Sequence, residues 1–540
     1  MAASGEQFYV LDAAGQHLAL LGRSNSAERA GAATLFVLEI NAGVPSLTAE
    51  IPLTGEVSDS RLIGNLLYVM STTYTEADGS WQPQTQLQAI DLTHPSAPVS
   101  RPVVHLTGTA TALQAAGGYL LLTTDHYDSV SWNSTSRLHL FDLSASDGTP
   151  VERKAFDLKG QVQDKFKLGV VGTAVVATSL YWNDAQRETW IETFPLAGTS
   201  TAPLAQLELT AARGEQLHAT RYDGNRLYIV TFFNTDPLFV VDLSDPAAPT
   251  LSGALEIPGW STYIEPLGDR LLTVGVESGR VAVSLFNVAD PTAPTLLSRL
   301  PLGAEGSWSW SEANDDEKAV GYFPDAGIVL VPFQNYTEDG YVKAIQAIVV
   351  GKDRLTADAL IVHDFDPRRG AVLGDYFVSI SGQELLVLDR TKDTTGVPAV
   401  QLALAWTTDR VIPLGEYLVQ IEDGACDSGG LYLRMMWTCN NSAATARITL
   451  AADPDQLIST IDLGAGRIVG SAVRDNRLYL AQWVSADGEQ PAKLRTSILD
   501  MTAPPQLPTR NTFEHKLTDV SEWDLNFAAA QIMWVKDVVF

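Results

Sequence analysis

Residues 217–259 read LHATRYDGNRLYIVTFFNTDPLFVVDLSDPAAPTLSGALEIPG, and residues 260–303 continue as WSTYIEPLGDRLLTVGVESGRVAVSLFNVADPTAPTLLSRLPLG. The second stretch repeats the pattern of the first, with about four short apolar runs in each. Arg226–Phe232 and Pro237–Leu243 are rich in β-branched and aromatic residues, a composition typical of strands. The repetition predicts a chain built from copies of one small β unit.

Turn residues separate these runs at short intervals. Asp223-Gly224-Asn225 predicts a tight turn, because Gly and Asn tolerate positive φ. Ser244-Asp245-Pro246 predicts another, since proline has no N–H to give to a central ladder. Turns about every eight to twelve residues indicate antiparallel meanders rather than helices. Four strands in about 45 residues is the size of one propeller blade, and such a sheet buries both faces only when it stacks on copies of itself.

The same theme runs through all 540 residues, so we predict an all-β, multi-bladed β-propeller of four-stranded antiparallel blades. About ten repeat units precede a remainder. Their approximate bounds are 7–54, 58–107, 110–158, 162–211, 217–258, 261–302, 317–365, 370–405, 411–463, 468–517 and a partial unit 523–540. Common propellers have about four to eight blades. The count therefore leaves open one wide ring, which we favour, two tandem rings, or a wrong division of some blades.

Composition narrows the classes of partner. Charged residues make up 19% of the chain, and the net charge is −28. An acidic surface repels phosphates, so we expect no nucleic-acid partner and no docking on anionic lipid. No apolar run approaches the roughly 20 residues of a membrane helix, so we also expect no direct membrane insertion. The acidity fits either a soluble, self-repelling surface or the binding of cations or a basic partner.

Five segments carry a resemblance to a known family. They are RYDGNRLYIVTF (221–232), DPLFVVDLSDPAAP (236–249), GWSTYIEPLGDRLLTVGVE (259–277), SDSRLIGNLLYVM (58–70) and KGQVQDKFKL (159–168). In these segments the chain resembles the secreted β-propeller domain family of bacteria and archaea, which is distantly similar to WD40 repeats. The resemblance is clearest from Leu53 to Val400 and weaker over 406–540. It implies a propeller fold and a secreted, periplasmic or cell-surface location, with the leader absent from this chain, and it implies no catalytic residues.

The chain has two cysteines, Cys426 and Cys439. The stretch GACDSGGLYLRMMWTC (424–439) has the pattern of two strands around a turn, in which cross-strand neighbours reach disulfide distance. We predict a disulfide here, which would add about 3 kcal/mol to stability. The alternative is two buried thiols. A metal site is disfavoured, because no histidine or further cysteine lies nearby in the sequence.

The acidic segment Ser311–Glu317 (SEANDDE) contains the best candidate cation ligands, Asp315, Asp316 and Glu317. Oxygen-rich loops suit Ca²⁺, although the spacing is not that of an EF-hand. The alternative is a solvated acidic loop, and we expect no other cofactor. Asp125-His126-Tyr127-Asp128 is a second polar cluster, which we expect to form a solvated loop.

Four aromatic residues are candidate binding residues. Trp308 and Trp310 flank the acidic segment, where exposed rings could stack on sugars or seat a partner's side chain. Trp260 and Tyr263 open the innermost predicted strand of the sixth unit, so they could line a central channel. For all four residues the alternative is packing against a neighbouring blade.

No reaction signature accompanies the repeat: the sequence contains no G-x-S-x-G, no H-E-x-x-H and no P-loop. Our first hypothesis is therefore a non-catalytic, secreted binding or assembly module that offers loops and a central channel to a protein or glycan partner. The alternative is an extracytoplasmic hydrolase or lyase with acidic residues at the channel mouth. A cell-surface structural or filament component is a weaker alternative, and the oligomeric state stays open.

Overall fold

The computed structural model of this protein describes most of the chain. The described residues are 3–24, 31–77, 79–128, 133–145, 147–182, 186–232, 236–257, 259–337, 340–392, 398–422, 443–484, 492–516, 534–535 and 538–539. The chain divides into two compact units, Met1–Leu402 and Ala403–Phe540. Over the described ranges, its regular elements are strands and four short 3-10 helices. None of the helices in these ranges is long and apolar enough to cross a membrane.

The first unit contains eight successive sheets, and the strands of each sheet pair largely in chain order. Sheet 1 consists of β1 (Ala3–Val10), β2 (His17–Ser24), β3 (Ala33–Asn41) and β4 (Val44–Pro52), and sheet 2 of β5 (Glu56–Ile63), β6 (Leu66–Ala77), β7 (Ser80–Asp91), β8 (Val99–Ser100) and β9 (Val104–Thr107). Sheet 3 consists of β10 (Thr109–Ala116), β11 (Tyr119–Asp128), β12 (Asn133–Asp142) and β13 (Val151–Asp157), and sheet 4 of β14 (Leu168–Val171), β15 (Ala174–Trp182), β16 (Arg187–Pro195) and β17 (Ala205–Glu208). Two 3-10 helices flank sheet 4, η1 (Lys165–Lys167) and η2 (Thr210–Ala212).

Sheets 5 to 8 continue the series up to the boundary between the units. Sheet 5 consists of β18 (Gln216–Asp223), β19 (Arg226–Phe232), β20 (Asp236–Asp242) and β21 (Thr250–Ile257), and sheet 6 of β22 (Trp260–Pro266), β23 (Arg270–Glu277), β24 (Arg280–Asn287) and β25 (Thr295–Pro301). Sheet 7 consists of β26 (Trp308–Trp310), β27 (Gly321–Phe323), β28 (Ile328–Thr337), β29 (Gly340–Val350) and β30 (Leu355–His363), and sheet 8 of β31 (Pro367–Leu373), β32 (Tyr376–Ser381), β33 (Glu384–Asp389) and β34 (Val400–Ala403). Helices η3 (Glu312–Asn314) and η4 (Glu317–Ala319) lie between β26 and β27.

The second unit contains two more sheets of the same kind and one short strand pair. Its strands are β35 (Arg410–Leu414), β36 (Tyr417–Glu422), β37 (Ala443–Leu450) and β38 (Asp453–Ala465) in sheet 9; β39 (Arg467–Arg474), β40 (Arg477–Val484), β41 (Lys493–Asp500) and β42 (Thr509–Lys516) in sheet 10; and the pair β43 (Trp534–Val535) and β44 (Val538–Val539). The prediction of an all-β fold made of four-stranded antiparallel sheets is confirmed.

Hydrophobic clusters join each sheet to the next. Between sheets 4 and 5, Val176 and Ile191 pack with Ile229 and Phe239. Corresponding clusters join sheets 1–2, 2–3, 3–4, 5–6, 6–7 and 7–8 in the first unit, and sheets 9–10 in the second. Burying one such side chain contributes about 1.5–3 kcal/mol relative to leaving it exposed. Because each sheet covers the apolar faces of its neighbours, stability accumulates along the series.

The turns between strands follow the chemistry of their residues. Gly224 has φ 57°, a left-handed value that glycine adopts without strain, and it joins β18 to β19. Asp242 and Asp290 end or follow third strands, and each accepts a hydrogen bond from the backbone N–H two residues ahead. These bonds also hold the pKa of both carboxyl groups below the usual range, with the side-chain bonds to Ser244 and Thr292 contributing most.

Two sheets have five strands where four are predicted, and in each case one strand is interrupted. In sheet 2, β8 and β9 both pair with β7, and Pro102 lies in the break between them. In sheet 7, β26 and β27 both pair with β28, with η3 and η4 between them. Sheet 7 thus begins at Trp308, whereas the sequence places the start of the unit at 317, because the acidic segment interrupts the first strand instead of preceding it.

The polar segment Asp125–Asp128 is not the solvated loop that the sequence predicts. It forms the end of strand β11, where Asp125 pairs with Ser136 and Asp128 with Asn133. Asp125 is half-buried and accepts hydrogen bonds from Thr111, Ser136 and Gln161. The neighbouring strands supply donors for the carboxylate, which is why a charged residue fits this position.

Candidate functional site

A cavity of about 340 Å³ lies where the first strands of sheets 2 to 7 come together, and we call it the central cavity. First strands of neighbouring sheets lie beside one another here, as β5 does with β10, and β18 with β22. The lining residues come from six successive sheets and the turns that precede them: Asp59, Thr111, Gln163, Asp164, Lys165, Phe166, His218, Thr262, Ala313, Asn314, Asp315 and Glu317. All of these residues belong to the first unit.

A β-bulge recurs near the start of the first strand and turns one residue towards the cavity. The register shifts at Thr111 in β10, at His218 in β18 and at Thr262 in β22. A bulge leaves one residue out of the ladder and redirects its side chain. All three bulged residues line the central cavity. The repeated bulge is therefore the local device that brings polar side chains from separate sheets to one place.

In sheets 4 and 7, short 3-10 helices supply the lining residues instead. Asp164 precedes η1 and accepts a hydrogen bond of 2.9 Å from the backbone N–H of Phe166. Asp316 precedes η4 and accepts a bond of the same length from the N–H of Lys318. Aspartate at such a position satisfies a backbone donor that the helix leaves free. Each turn thereby projects a lysine or glutamate into the cavity lining.

Two acidic residues of these turns, Asp164 and Glu317, are paired with lysines. Lys165 forms an ion pair with Glu317, which lies 152 residues further along the chain. Burial alone would raise the pKa of Glu317, but the hydrogen bond and charge of Lys165 hold it below the usual range. The ammonium group of the buried Lys167 contacts Asp164 and donates a 2.9 Å bond to the carbonyl of His218. Both carboxylates are accordingly already partnered.

His218 connects the cavity to a group of aromatic rings. Its imidazole stacks on Trp260 with ring centres 5.2 Å apart, and it meets the edge of Phe232 at 5.8 Å. Burial lowers the pKa of His218 to about 4, and the nearby charge of Lys167 acts in the same direction. The imidazole is therefore neutral at physiological pH and offers one donor and one acceptor.

Asn314 presents an amide with unused hydrogen-bonding capacity. Both its Nδ2 and its Oδ1 are buried and have no partner among the described residues. Asn314 lines the central cavity next to Asp315. A buried amide without a partner costs about 1–3 kcal/mol. Because both amide atoms are buried, a ligand in the cavity does not reach them in this arrangement.

The residues predicted as binding aromatics lie in two places. Trp260 stacks on His218, and Tyr263 donates a 2.9 Å hydrogen bond to Glu265 and lines a small cavity of about 30 Å³ beside the central one. Trp308 and Trp310 stack on each other in β26, with ring centres 6.2 Å apart, and Trp308 is exposed. Trp260 thus contacts the cavity residue His218, Tyr263 lines the small cavity, and Trp308 is exposed at the start of the first strand of its sheet.

Of the predicted calcium ligands, Asp316 and Glu317 serve other contacts, and Asp315 lines the central cavity. Asp316 bonds to a backbone N–H, and Glu317 pairs with Lys165. Across the described parts of the chain, no group of three or more His, Cys, Asp or Glu side chains is arranged to hold a metal ion. Calcium binding therefore stays a prediction from the sequence. The predicted disulfide also stays a prediction, because Cys426 and Cys439 lie outside the described residues.

A serine, a histidine and a glutamate form a chain of hydrogen bonds in sheets 7 and 8, away from the cavity. His363 bonds through Nδ1 to Glu384 at 2.9 Å, and the hydroxyl of Ser379 bonds to its Nε2. Ser379 is completely buried, so no substrate reaches its hydroxyl. Burial also lowers the pKa of His363. The arrangement satisfies buried polar groups between the two sheets and is not an accessible nucleophile.

Sequence reasoning did not find Thr111, His218, Thr262, Lys165 or Asn314. Three of them share a signal that the sequence does contain: each is a polar residue near the start of the first strand of a repeat. Superimposing the repeats on one another would have shown this position. Lys165 and Asn314 carry no such signal, because they lie in turns that are particular to sheets 4 and 7.

Comparisons with known proteins agree with the architecture. A family model described as a beta propeller domain matches residues 82–390. An uncharacterised protein of Methanocaldococcus jannaschii is 32% identical over 180 residues, which are 33% of this chain and 27% of that protein. An uncharacterised protein of Archaeoglobus fulgidus is 33% identical over 177 residues, or 32% and 26% of the two chains. The match thus spans about a quarter of the length of these relatives.

Among solved structures, a putative 6-phosphogluconolactonase from Bacteroides fragilis has a TM-score of 0.36 and 13% identity, covering 63% of this chain and 94% of that one. Apo AztD from Citrobacter koseri has a TM-score of 0.37 and 14% identity, covering 68% and 91%. At this level of similarity the named activities of these proteins carry nothing over to this chain.

Proposed function

Because this chain belongs to the β-propeller domain family, we propose that it is a non-catalytic binding module. In this proposal the central cavity of the first unit receives a polar group of a protein or glycan partner. We also propose that the module works outside the cytoplasm, which is supported by the resemblance of its repeats to secreted propeller domains.

One observation carries the proposal: six successive sheets contribute polar side chains to a single cavity. Three bulged residues and the turns of sheets 4 and 7 converge on about 340 Å³. A concave site with a few convergent polar groups is the usual form of a small-ligand site. The lining combines the neutral imidazole of His218 and the hydroxyl groups of Thr111 and Thr262 with charged side chains such as Asp315.

The charges at the cavity support binding over turnover. A carboxylic acid that donates a proton at neutral pH needs a raised pKa. Glu317 instead has a lowered pKa because Lys165 pairs with it, and Asp164 is in contact with Lys167. These pairs weaken the alternative of a hydrolase or lyase that uses Glu317 or Asp164 as its acid.

The test compares the ligand affinity of the wild type with that of a variant in which a larger side chain fills the cavity. Panels of neutral oligosaccharides and of peptides are titrated against the full chain by microscale thermophoresis, and the bound mixtures are analysed for products by chromatography. The variant Thr262→Phe places a ring in the cavity, and we expect it to lower the affinity of the bound ligand by about fivefold or more, since an overpacked site costs about 1–3 kcal/mol.

A matched control is Thr250→Phe, because Thr250 is exposed on the outer strand β21, far from the first strand of its sheet. We expect this variant to bind as the wild type does. Conversion of a bound ligand into products would overturn the non-catalytic assignment. Equal affinity of Thr262→Phe and the wild type would overturn the assignment of binding to the central cavity.

A further inference from the structure

Six exposed aromatic side chains lie at the same end of the strands in sheets 2, 3, 4, 5 and 7, with two of them in sheet 2 and none in the described part of sheet 6, and we call them the aromatic arc: Tyr74, Trp81, Tyr127, Trp182, Phe232 and Trp308. Their exposed fractions run from 36% to 69%, which is high for rings of this size. In the described parts of these sheets, the only other strongly exposed aromatic ring is that of Tyr336, which pairs with Trp308 across two strands.

The arc lies at one edge of the sheets, by which we mean one end of their strands and not an outermost strand. Tyr74, Tyr127, Trp182 and Phe232 are near the ends of second strands, and Trp81 is near the start of a third strand. Trp308 begins the first strand of sheet 7 and pairs with Tyr336 near the end of the second. In an antiparallel meander, the end of the second strand lies beside the starts of the first and third. The exposed aliphatic residues Val99, Val151 and Leu251 lie instead on outer strands.

The same edge leads into the central cavity. The bulged Thr111 follows Ala110, which pairs with Thr124, three residues before Tyr127. In sheet 5 the connection is direct, because the ring of His218 contacts that of Phe232 at 5.8 Å. At about 3.4 Å per strand residue, Tyr127 stands roughly 10 Å beyond the bulge of its sheet and Phe232 about 3 Å beyond the bulge of its own. Exposed rings thus border a polar cavity on the same side of the sheets.

The chemistry of this surface fits a carbohydrate. The C–H face of a pyranose ring is apolar and packs flat on an aromatic ring, while its hydroxyl groups need donors and acceptors such as the imidazole of His218 and the hydroxyl group of Thr262, which line the cavity. The net charge of −28 opposes a polyanion. The guanidinium of Arg187 lies 4.6 Å from the centre of the Trp182 ring, and Trp182 is 56% exposed.

From this placement we propose that the aromatic arc binds an uncharged glycan, with sugar rings stacked on the arc and one end of the chain in the central cavity. The inference rests on the proposed function and names its ligand class. Because the recognition uses stacking and neutral hydrogen bonds, affinity is nearly independent of salt, in contrast to the binding of a charged polymer.

The experiment measures binding of neutral hexasaccharides of glucose, mannose and xylose, in β-1,4 and β-1,3 linkage, by isothermal titration calorimetry with the full chain. Polygalacturonate serves as the charged comparator, and vesicles of phosphatidylcholine serve as the lipid comparator. We expect at least one neutral hexasaccharide to bind, with similar affinity at about 50 mM and about 500 mM NaCl. Trp182→Ala and Tyr127→Ala are each expected to lower that affinity about three- to tenfold.

Tyr376→Ala is the matched control, because Tyr376 is also an exposed tyrosine but lies at the opposite edge, where β31 turns into β32 of sheet 8. It is expected to leave the affinity unchanged. The inference is overturned if no neutral hexasaccharide binds, if Trp182→Ala and Tyr127→Ala bind as the wild type does, or if only the vesicles or polygalacturonate bind. A peptide whose binding Thr262→Phe abolishes, with no glycan bound, would overturn the glycan while leaving the proposed function standing.

Discussion

At the scale of single residues, His218 shows how the cavity changes a side chain's chemistry. The bulge in β18 places the imidazole against Trp260 and Phe232, and this burial is the main reason that its pKa falls from the ordinary 6.5 to about 4. Lys167 adds to the shift. In the unfolded chain the same histidine takes up a proton at about pH 6.5.

This difference predicts a pH dependence of stability. A histidine whose pKa is lower in the folded state favours folding fully above about pH 6.5, and that contribution is lost as the pH falls from about 6.5 towards 4. In His218→Gln this position binds no proton in either the folded or the unfolded state, so it no longer contributes to the pH dependence. We therefore expect the melting temperature of this variant to fall less than that of the wild type over the same pH range.

Differential scanning fluorimetry at several pH values measures the effect. His94→Gln is the control, because His94 is exposed in the loop between β7 and β8. We expect its pH dependence to match that of the wild type. If His218→Gln loses stability with falling pH as steeply as the wild type, the burial of the neutral imidazole is not what the structure indicates.

At the scale of elements, the bulged first strand depends on its neighbour. In sheet 6, Ser261 pairs with Gly275, and the bulge at Thr262 follows at once. A Cβ at Gly275 would lie 1.9 Å from the carbonyl oxygen of Trp260 and 2.5 Å from Cα of Ser261. Because Gly275 has no side chain, β22 can approach β23 closely enough at this position to form the bulge.

We predict that Gly275→Ala lowers the free energy of unfolding by about 3 kcal/mol, because the methyl group meets backbone atoms that cannot move aside. Urea unfolding followed by tryptophan fluorescence measures it, with Trp260 in the affected strand. In Gly382→Ala the added Cβ meets nothing within 4 Å, so we expect a change within about 0.5 kcal/mol. Equal stabilities of the two variants would contradict the close approach.

At the scale of the whole molecule, the net negative charge affects the stability of the entire chain and not of one sheet. A net charge of −28 makes the folded chain repel itself, since folding brings the charges closer together than they are in the unfolded state. Local pairs such as Lys165 with Glu317 offset only a part of this. Between the sheets, apolar clusters supply the opposing stability.

We predict that salt stabilises the whole chain. Raising NaCl from about 20 mM to about 300 mM shortens the screening length from roughly 20 Å to less than 10 Å, which weakens the repulsion between separate charges. The expected result is a higher melting temperature by calorimetry, with the same rise in KCl of equal ionic strength. A lower melting temperature at high salt would mean that attractive ion pairs dominate the electrostatics instead.

The sequence by itself determined the elements and the fold class. Runs such as Arg226–Phe232 and turns such as Asp223-Gly224-Asn225 act through neighbouring residues, so composition and spacing were enough to predict strands, meanders and stacked sheets. Where a strand is interrupted, as in the acidic segment 311–319, the same local reading misjudged the boundary of the unit.

Only the tertiary structure decided which side chains meet. Lys165 and Glu317 are 152 residues apart, and their contact exists because sheets packed in series bring the first strands of sheets 4 and 7 to one cavity. The shifted pKa of His218 and the single edge shared by the aromatic arc have the same origin. The spacing of strands and turns determines how the chain runs back and forth within one sheet. Contacts between sheets depend instead on how the sheets pack, and residues far apart in the sequence contribute to that packing.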